Sequence, residues 1–197
     1  MILVRHRVNT ITELKDTKNS YGVEIDVRSG PFGLYLSHDP LSRGDLLSEW
    51  IKSYSHSLLV VNVKEDGLEN EIVDLLRKHE VSNYFFLDQA LPTLVRRGLM
   101  GLTDSSLRLS EYESMESLMK LREFSNWVWV DFFHKPEISQ VNLKSLKNMN
   151  LKICLVSPEL HSIDRLKEVD DIQNQLLDFH PLIDAVCTKF PERWELN

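Results

Sequence analysis

Gly22-Val23-Glu24-Ile25-Asp26-Val27 is the stretch on which the reading of this sequence turns. The run is apolar and β-prone apart from two carboxylates placed two residues apart. On a strand, both point to the same face. A strand buried among helices has little reason to carry two like charges on one face unless something cationic offsets their desolvation. That is how a metal site begins. An isolated Glu-x-Asp would more simply be the solvated face of an edge strand, so its neighbours decide the matter.

Outward from it, β-rich apolar runs alternate with runs of helical period. Strand candidates are 2–6, 23–27, 58–64, 84–87, a weak run at 100–103, then 127–132, 151–156 and 185–188. Between them, Leu46, Leu47, Trp50 and Ile51 share one helical face, as do Leu68, Ile72, Leu75 and Leu76. Leu91, Leu94 and Val95 begin another helix. Further stripes are Tyr112, Met115, Leu118 and Met119, then Ile138, Val141 and Leu146, and last Ile163, Leu166, Val169, Ile172 and Leu176. Ser110 ahead of Glu113 reads as a capping box, and Ser162 as the cap of the last long helix.

Regular strand-helix alternation implies a parallel sheet covered by helices. Eight repeats predict an α/β fold closed as a single (β/α)8 TIM barrel over residues 1–197, small for a class in which about 250 residues is typical. The alternative is an open doubly wound sheet, but no Gly-rich dinucleotide fingerprint follows the first strand. The least regular connection runs from Ser29 to Gly44 around a short Leu34-Tyr35-Leu36 run, and loops after barrel strands form the active-site rim.

The 197 residues suffice for one sizeable core, and no apolar run is long enough to span a bilayer. A net charge of −7 argues against a broad nucleic-acid or anionic-membrane footprint. The opening Met1-Ile2-Leu3-Val4-Arg5-His6-Arg7 has no signal-like apolar stretch or small-residue cleavage site. Cys154 and Cys187 lie in apolar strand-like runs and read as buried free thiols. A cytoplasmic protein without stable membrane insertion is expected.

Polar clusters fall at or just beyond the ends of the first three strands: His6-Arg7, then Glu24 and Asp26, then His38-Asp39 in the following loop, then Asn62 and Lys64. In a barrel these ends are neighbours on one rim. His38 and Asp39 sit next to Pro40, where Asp39 can initiate a turn or orient His38.

The order His-Arg, Glu-x-Asp, His-Asp resembles the signature of the glycerophosphodiester phosphodiesterase family, metal-dependent TIM barrels. Asn62-Val63-Lys64 continues it where the family usually has Glu-x-Lys, and Asp184 to Pro191 resembles the family's closing strand. The resemblance implies a phosphoric diester hydrolase that cleaves a glycerophosphodiester-like small molecule into a phosphomonoester and an alcohol. Carried over, Glu24, Asp26 and Asn62 would hold Mg²⁺ or Ca²⁺, hard cations that prefer oxygen donors. His6 and His38 would be the general acid and base, and Arg7 and Lys64 would bind the phosphate.

The sequence departs from the pattern in three places. Asn62 replaces a usual Glu, which implies weaker metal binding, and Asp66 has the strand parity to supply the missing carboxylate. The span from His38 to Asn62 leaves no room for the inserted subdomain many members carry. Lys189 stands where an acid is common, and Val8 where Gly is common. Alternatives are a catalytically impaired barrel that binds phosphate ligands, and a metal-independent phospholipase C-like phosphotransfer. His134, Asp88 and Asp104 are secondary rim candidates. His56, His79, His161 and His180 read as surface residues, and Trp127 and Trp129 as core.

Overall fold

The computed structural model describes residues 1–42, 44–134, 140–177 and 179–195. Among these the strands are β1 (Ile2–Arg5), β2 (Gly22–Gly30), β3 (Gly33–Leu36), β4 (Leu59–Val63), β5 (Tyr84–Leu87), β6 (Ser105–Leu109), β7 (Ser125–Val130), β8 (Lys152–Val156) and β9 (Ala185–Thr188). The helices are α1 (Ile11–Lys15), α2 (Leu47–Trp50), α3 (Glu69–Lys78), α4 (Leu91–Leu99), α5 (Met115–Leu121), α6 (Gln140–Asn148) and α7 (Val169–Leu176).

Eight strands pair in parallel in the order β1-β9-β8-β7-β6-β5-β4-β2, and β1 pairs with β2 to close the ring. Closure is set by Val4 opposite Gly22 on one side of β1 and by Arg5 opposite Thr188 on the other. The expected TIM barrel is therefore present. Alternation along each strand sorts its side chains: Val23, Ile25 and Val27 pack outward with Leu14, Leu47, Trp50 and Ile72, while Glu24 and Asp26 face inward. The lower barrel interior is filled by Val4, Leu58, Val60, Phe85, Trp127, Trp129, Cys154 and Cys187, with Phe85 and Trp127 stacked at 4.7 Å. Both cysteines are buried and free. Ile72 and Leu76 bury the inner stripe of α3, each contributing roughly 1.5–3 kcal/mol. No described helix is long and apolar enough to cross a membrane.

β2 is longer than its neighbours because it continues into a hairpin: β3 runs back antiparallel with Val27 opposite Leu36 and Gly30 opposite Gly33. Gly33 has φ +111°, a conformation that side chains disfavour. The Leu34-Tyr35-Leu36 run is thus a strand inside the irregular connection.

Several local expectations are corrected. The weak strand at 100–103 is the exit from α4, with Met100 as its C-cap and Gly101 at φ +78°. The strand starts at Ser105, and its two serines hide it because they lack the β-branched signal. Ser106 Oγ bonds instead to strand backbone, donating to Phe86 O at 2.9 Å. Ser110 does receive the Glu113 N–H (3.1 Å), but this closes a turn that leaves Tyr112 outside the helix. Helix α5 begins later, capped by Ser114, which accepts from Ser117 N at 3.2 Å. A capping box forms at Thr10–Glu13 ahead of α1. Ser162 precedes a 3-10 turn (Ile163–Glu168) without a side-chain cap bond, and α7 starts only at Val169. Of the stripe Ile138, Val141 and Leu146, Ile138 and the Val141 side chain lie outside the described residues, and Leu146 is buried.

Candidate active site

β1 delivers His6 to the C-terminal end of the barrel, where its N–H donates to Thr188 O at 2.9 Å. The chain then turns across β2. Arg7 takes a left-handed φ of +57°, unfavourable for a side-chain-bearing residue, and so aims its N–H at Glu24 Oε2 (2.7 Å). Val8 N donates to Glu24 O at 2.8 Å. His6 Nε2 lies 3.8 Å from Glu24 Oε2.

Glu24 and Asp26 are fully buried. Burial above all, and then the Asp26 charge, push Glu24 up from 4.5 to about 8, partly offset by the Arg7 N–H, Lys64 and Asn62. Asp26 is held from three sides. Asn9 Nδ2 donates to its Oδ2 at 2.8 Å, Lys64 Nζ lies 2.9 Å from Oδ1, and Arg7 Nε lies 3.9 Å from Oδ2. Asn62 is opposite Asp26 in the β2–β4 register and is itself buried. His6 is driven down from 6.5 to about 3, first by burial and then by the Arg7 charge, with Lys189 and Lys64 adding and Asp26 opposing. It is a neutral imidazole at neutral pH.

His38 reaches this end through the hairpin. Ser37 N donates to Asp26 O at 3.0 Å, and Arg28 clamps the loop by donating from Nε to Ser37 O (3.2 Å) and from Nη2 to His38 O (2.9 Å). His38 Nδ1 is 2.8 Å from Asp39 Oδ1. His38, together with Arg7 and Arg28, holds the Asp39 carboxyl below the usual range. The two histidines arrive on different elements, and among the described residues no side-chain hydrogen bond joins them.

The donor set fits a hard divalent cation. Glu24 Oε1 and Asn62 Oδ1 are buried oxygens without a hydrogen-bond partner among the described residues. The third acid is nevertheless missing: among the described residues no group of three or more His, Cys, Asp and Glu is arranged to hold a metal. Asp66 does not replace it, because β4 ends at Val63 and Asp66 is exposed, its Oδ1 3.4 Å from Thr93 Oγ1.

Residues the sequence did not single out complete the rim. Asn9 and Arg28 position Asp26 and His38. On the far side Arg108 is enclosed by Asp88, Asp131 and Glu113. His161 Nε2 lies 3.1 Å from Asp131 Oδ1 and so belongs to the rim rather than to open surface. Correct placement of β6 would have revealed Arg108 by strand parity. Asp104 is not at the rim: it precedes β6, at the opposite end, and pairs with Arg97 at 2.6 Å. His134 is exposed, with Nε2 2.6 Å from Tyr112 Oη, and His56 is buried against Thr17 O.

No protein-family model matches the sequence, and no curated protein matches it significantly. Solved structures do. A glycerophosphodiester phosphodiesterase from Agrobacterium tumefaciens superposes with TM-score 0.67 at 12% identity over 98% of both chains. A glycerophosphoryl diester phosphodiesterase from Parabacteroides distasonis gives 0.63 at 10%, covering 96% of this chain and 83% of that one. A mutant tryptophan synthase α-subunit from Pyrococcus furiosus gives 0.52 at 12%, covering 97% and 88%. The third shows how widely the barrel is shared, so likeness of fold does not by itself assign a reaction. The chain has the closed eight-stranded barrel fold of these two glycerophosphodiester phosphodiesterases.

Proposed function

We propose that this barrel is a phosphoric diester hydrolase that cleaves a glycerophosphodiester-like small molecule into a phosphomonoester and an alcohol, with a divalent cation bound at Glu24, Asp26 and Asn62. The observation that carries the reading is the fully buried Glu24–Asp26 pair facing the barrel mouth beside His6, Arg7 and Lys64. Two carboxylates without solvent are costly unless a cation joins them. The family resemblance of the motifs and the likeness of fold support the same reading.

When bound, Mg²⁺ or Ca²⁺ would polarise a phosphoryl oxygen and offset the charge that builds up during displacement. Arg7 would grip the phosphate with a planar fork and Lys64 with a point charge. Asp39, accepting from Nδ1–H of His38, orients the ring and leaves Nε2 as the nitrogen free to take up and return a proton. His6 is neutral in the free protein, first through burial and then through the Arg7 charge, and an entering anion would offset the cationic share of that effect and favour its taking a proton. Proton removal from the nucleophile and donation to the leaving alcohol are then divided between His38 and His6. The short connection after His38 leaves recognition of the alcohol to the rim loops.

A second reading is favoured by one contact, Lys64 Nζ at 2.9 Å from Asp26 Oδ1. A built-in cation already balances one acid, so phosphotransfer could run on protein charge alone. Hydrolysis of a panel of glycerophosphodiesters and a chromogenic diester, with Mg²⁺, with Ca²⁺ and with excess chelator, separates the readings. Metal-dependent turnover lost in both Glu24→Ala and His38→Ala supports the first, and turnover indifferent to chelator supports the second. A folded protein that binds phosphate without turning over any diester is a binding module.

A further inference from the structure

Lys189 follows directly after β9, and among the described residues its side chain has no acidic partner. Among the described residues its Nζ contacts only Glu159 O, at 3.3 Å. Lys64 and Arg7, by contrast, both lean on Asp26. Cys187 lines the barrel interior, and Lys189, two residues on, has the same strand parity. β9 adjoins β1, with Thr188 opposite Arg5, and His6 N donates to Thr188 O at 2.9 Å. Lys189 and His6 therefore leave neighbouring strands side by side, and the Lys189 charge is felt at His6.

The backbone of Lys189 is held in a way an ordinary rim lysine does not require. Glu159 is fully buried, which is strongly unfavourable for a carboxylate unless donors surround it. Its donors are the Lys189 N–H (3.0 Å) and the Thr188 hydroxyl (2.6 Å) on Oε1, and the Ser157 hydroxyl on Oε2. Ser157 Oγ in turn accepts from Trp194 Nε1 at 3.0 Å. This network fixes the exit of β9 and leaves the ammonium on a single long bond to a carbonyl, easily exchanged for an anionic oxygen.

We propose that Lys189 binds the substrate phosphate from the β9 side of the barrel mouth, as a third cation beside Arg7 and Lys64. The identity of the anion rests on the phosphodiester reading above. Because Asp26 already offsets part of the charge on Arg7 and Lys64, Lys189 supplies much of the remaining attraction for a phosphate.

The test is calorimetric titration of inorganic phosphate, with Mg²⁺ present, into the native chain, Lys189→Met and Lys189→Arg. The side chain is exposed, so both variants should keep the native thermal midpoint. Lys189→Met is expected to weaken phosphate binding about tenfold, and Lys189→Arg to stay within about threefold of native. Equal affinity in native and Lys189→Met, or no saturable binding by the native chain, overturns the proposal. Turnover of glycerophosphodiesters by the same samples keeps the two readings apart. Lys189-dependent phosphate binding without any turnover removes the phosphodiesterase and leaves the phosphate site. Native turnover with KM unchanged in Lys189→Met removes the role of Lys189 alone.

Discussion

Asn9 and Asp26 hold each other twice: Asn9 Nδ2 donates to Asp26 Oδ2, and Asp26 N donates to Asn9 Oδ1, both at 2.8 Å. The amide thus fixes backbone and carboxylate of the same residue and leaves Oδ1 of Asp26 facing Lys64. Asn9→Ala leaves buried polar groups unmatched and should cost roughly 1–3 kcal/mol of stability. It should also lower kcat/KM at least about tenfold through loss of aim. Urea denaturation beside steady-state kinetics reads both, and a variant as active as native would remove Asn9 from the site.

Glu24 and His6 give the metal-free protein a particular pH profile. Glu24 rises from 4.5 to about 8 on folding, so its contribution is fully present below 4.5 and is lost as pH rises through 8. His6 falls from 6.5 to about 3, so its contribution is present above 6.5 and is lost as pH falls towards 3. Between about 4.5 and 6.5 the two oppose each other, and their joint effect should be a plateau with stability declining on either side. Glu24→Gln should remove the alkaline decline. Thermal midpoints across the range, in chelator, test this, and an alkaline decline that persists in Glu24→Gln would assign it elsewhere.

On the proposed reading, the same proton governs metal uptake. A cation must displace it, so apparent Mg²⁺ affinity should rise by up to about tenfold per pH unit and level off above about 8. Asn62→Glu, which adds a charged oxygen donor, should tighten binding further. Calorimetry at several pH values, in buffers of different ionisation enthalpy, counts the protons released. A count of zero below the plateau would contradict a protonated Glu24.

Arg28 holds the two carbonyls at Ser37 and His38 and is itself paired with Glu65 at 3.6 Å. Arg28→Met should release the loop and lower kcat roughly tenfold to hundredfold with a smaller change in KM. Arg28→Lys should recover part of the loss. If kcat stands unchanged while KM rises, Arg28 is a substrate contact and not a support for His38.

Gly98 offers a control remote from the site. A Cβ there would lie 2.2 Å from Cγ of Phe124. Gly98→Ala should destabilise by roughly 1–3 kcal/mol through overpacking, although alanine is the better helix former. Activity per folded molecule should be native. Increased resistance to urea would mean that the Phe124 ring moves aside at little cost.

Much of this architecture was legible in the chain because the evidence was periodic. Inward Glu24 and Asp26, outward Ile25 and Val27 and the inner stripe of α3 follow from alternation at two residues and at 3.6. Other elements carry too little local chemistry to show a period. Ser105-Ser106 carries no strand signal, while exposed Met100 imitates one. α1 is too short to show a period, and only its Thr10–Glu13 box marks it.

By itself the sequence determined the alternating pattern, the sidedness of each strand and hence which polar residues point to the barrel mouth, because these depend on spacing within one strand or helix. Only the tertiary structure decided who meets whom there. Asn9 finds Asp26 across a strand boundary, Glu159 finds Thr188 twenty-nine positions on at the neighbouring strand's exit, and Arg108 gathers acids from three different connections. Such contacts are fixed by barrel closure and register, and the charges of Glu24 and His6 depend on a burial that no local run of residues can specify.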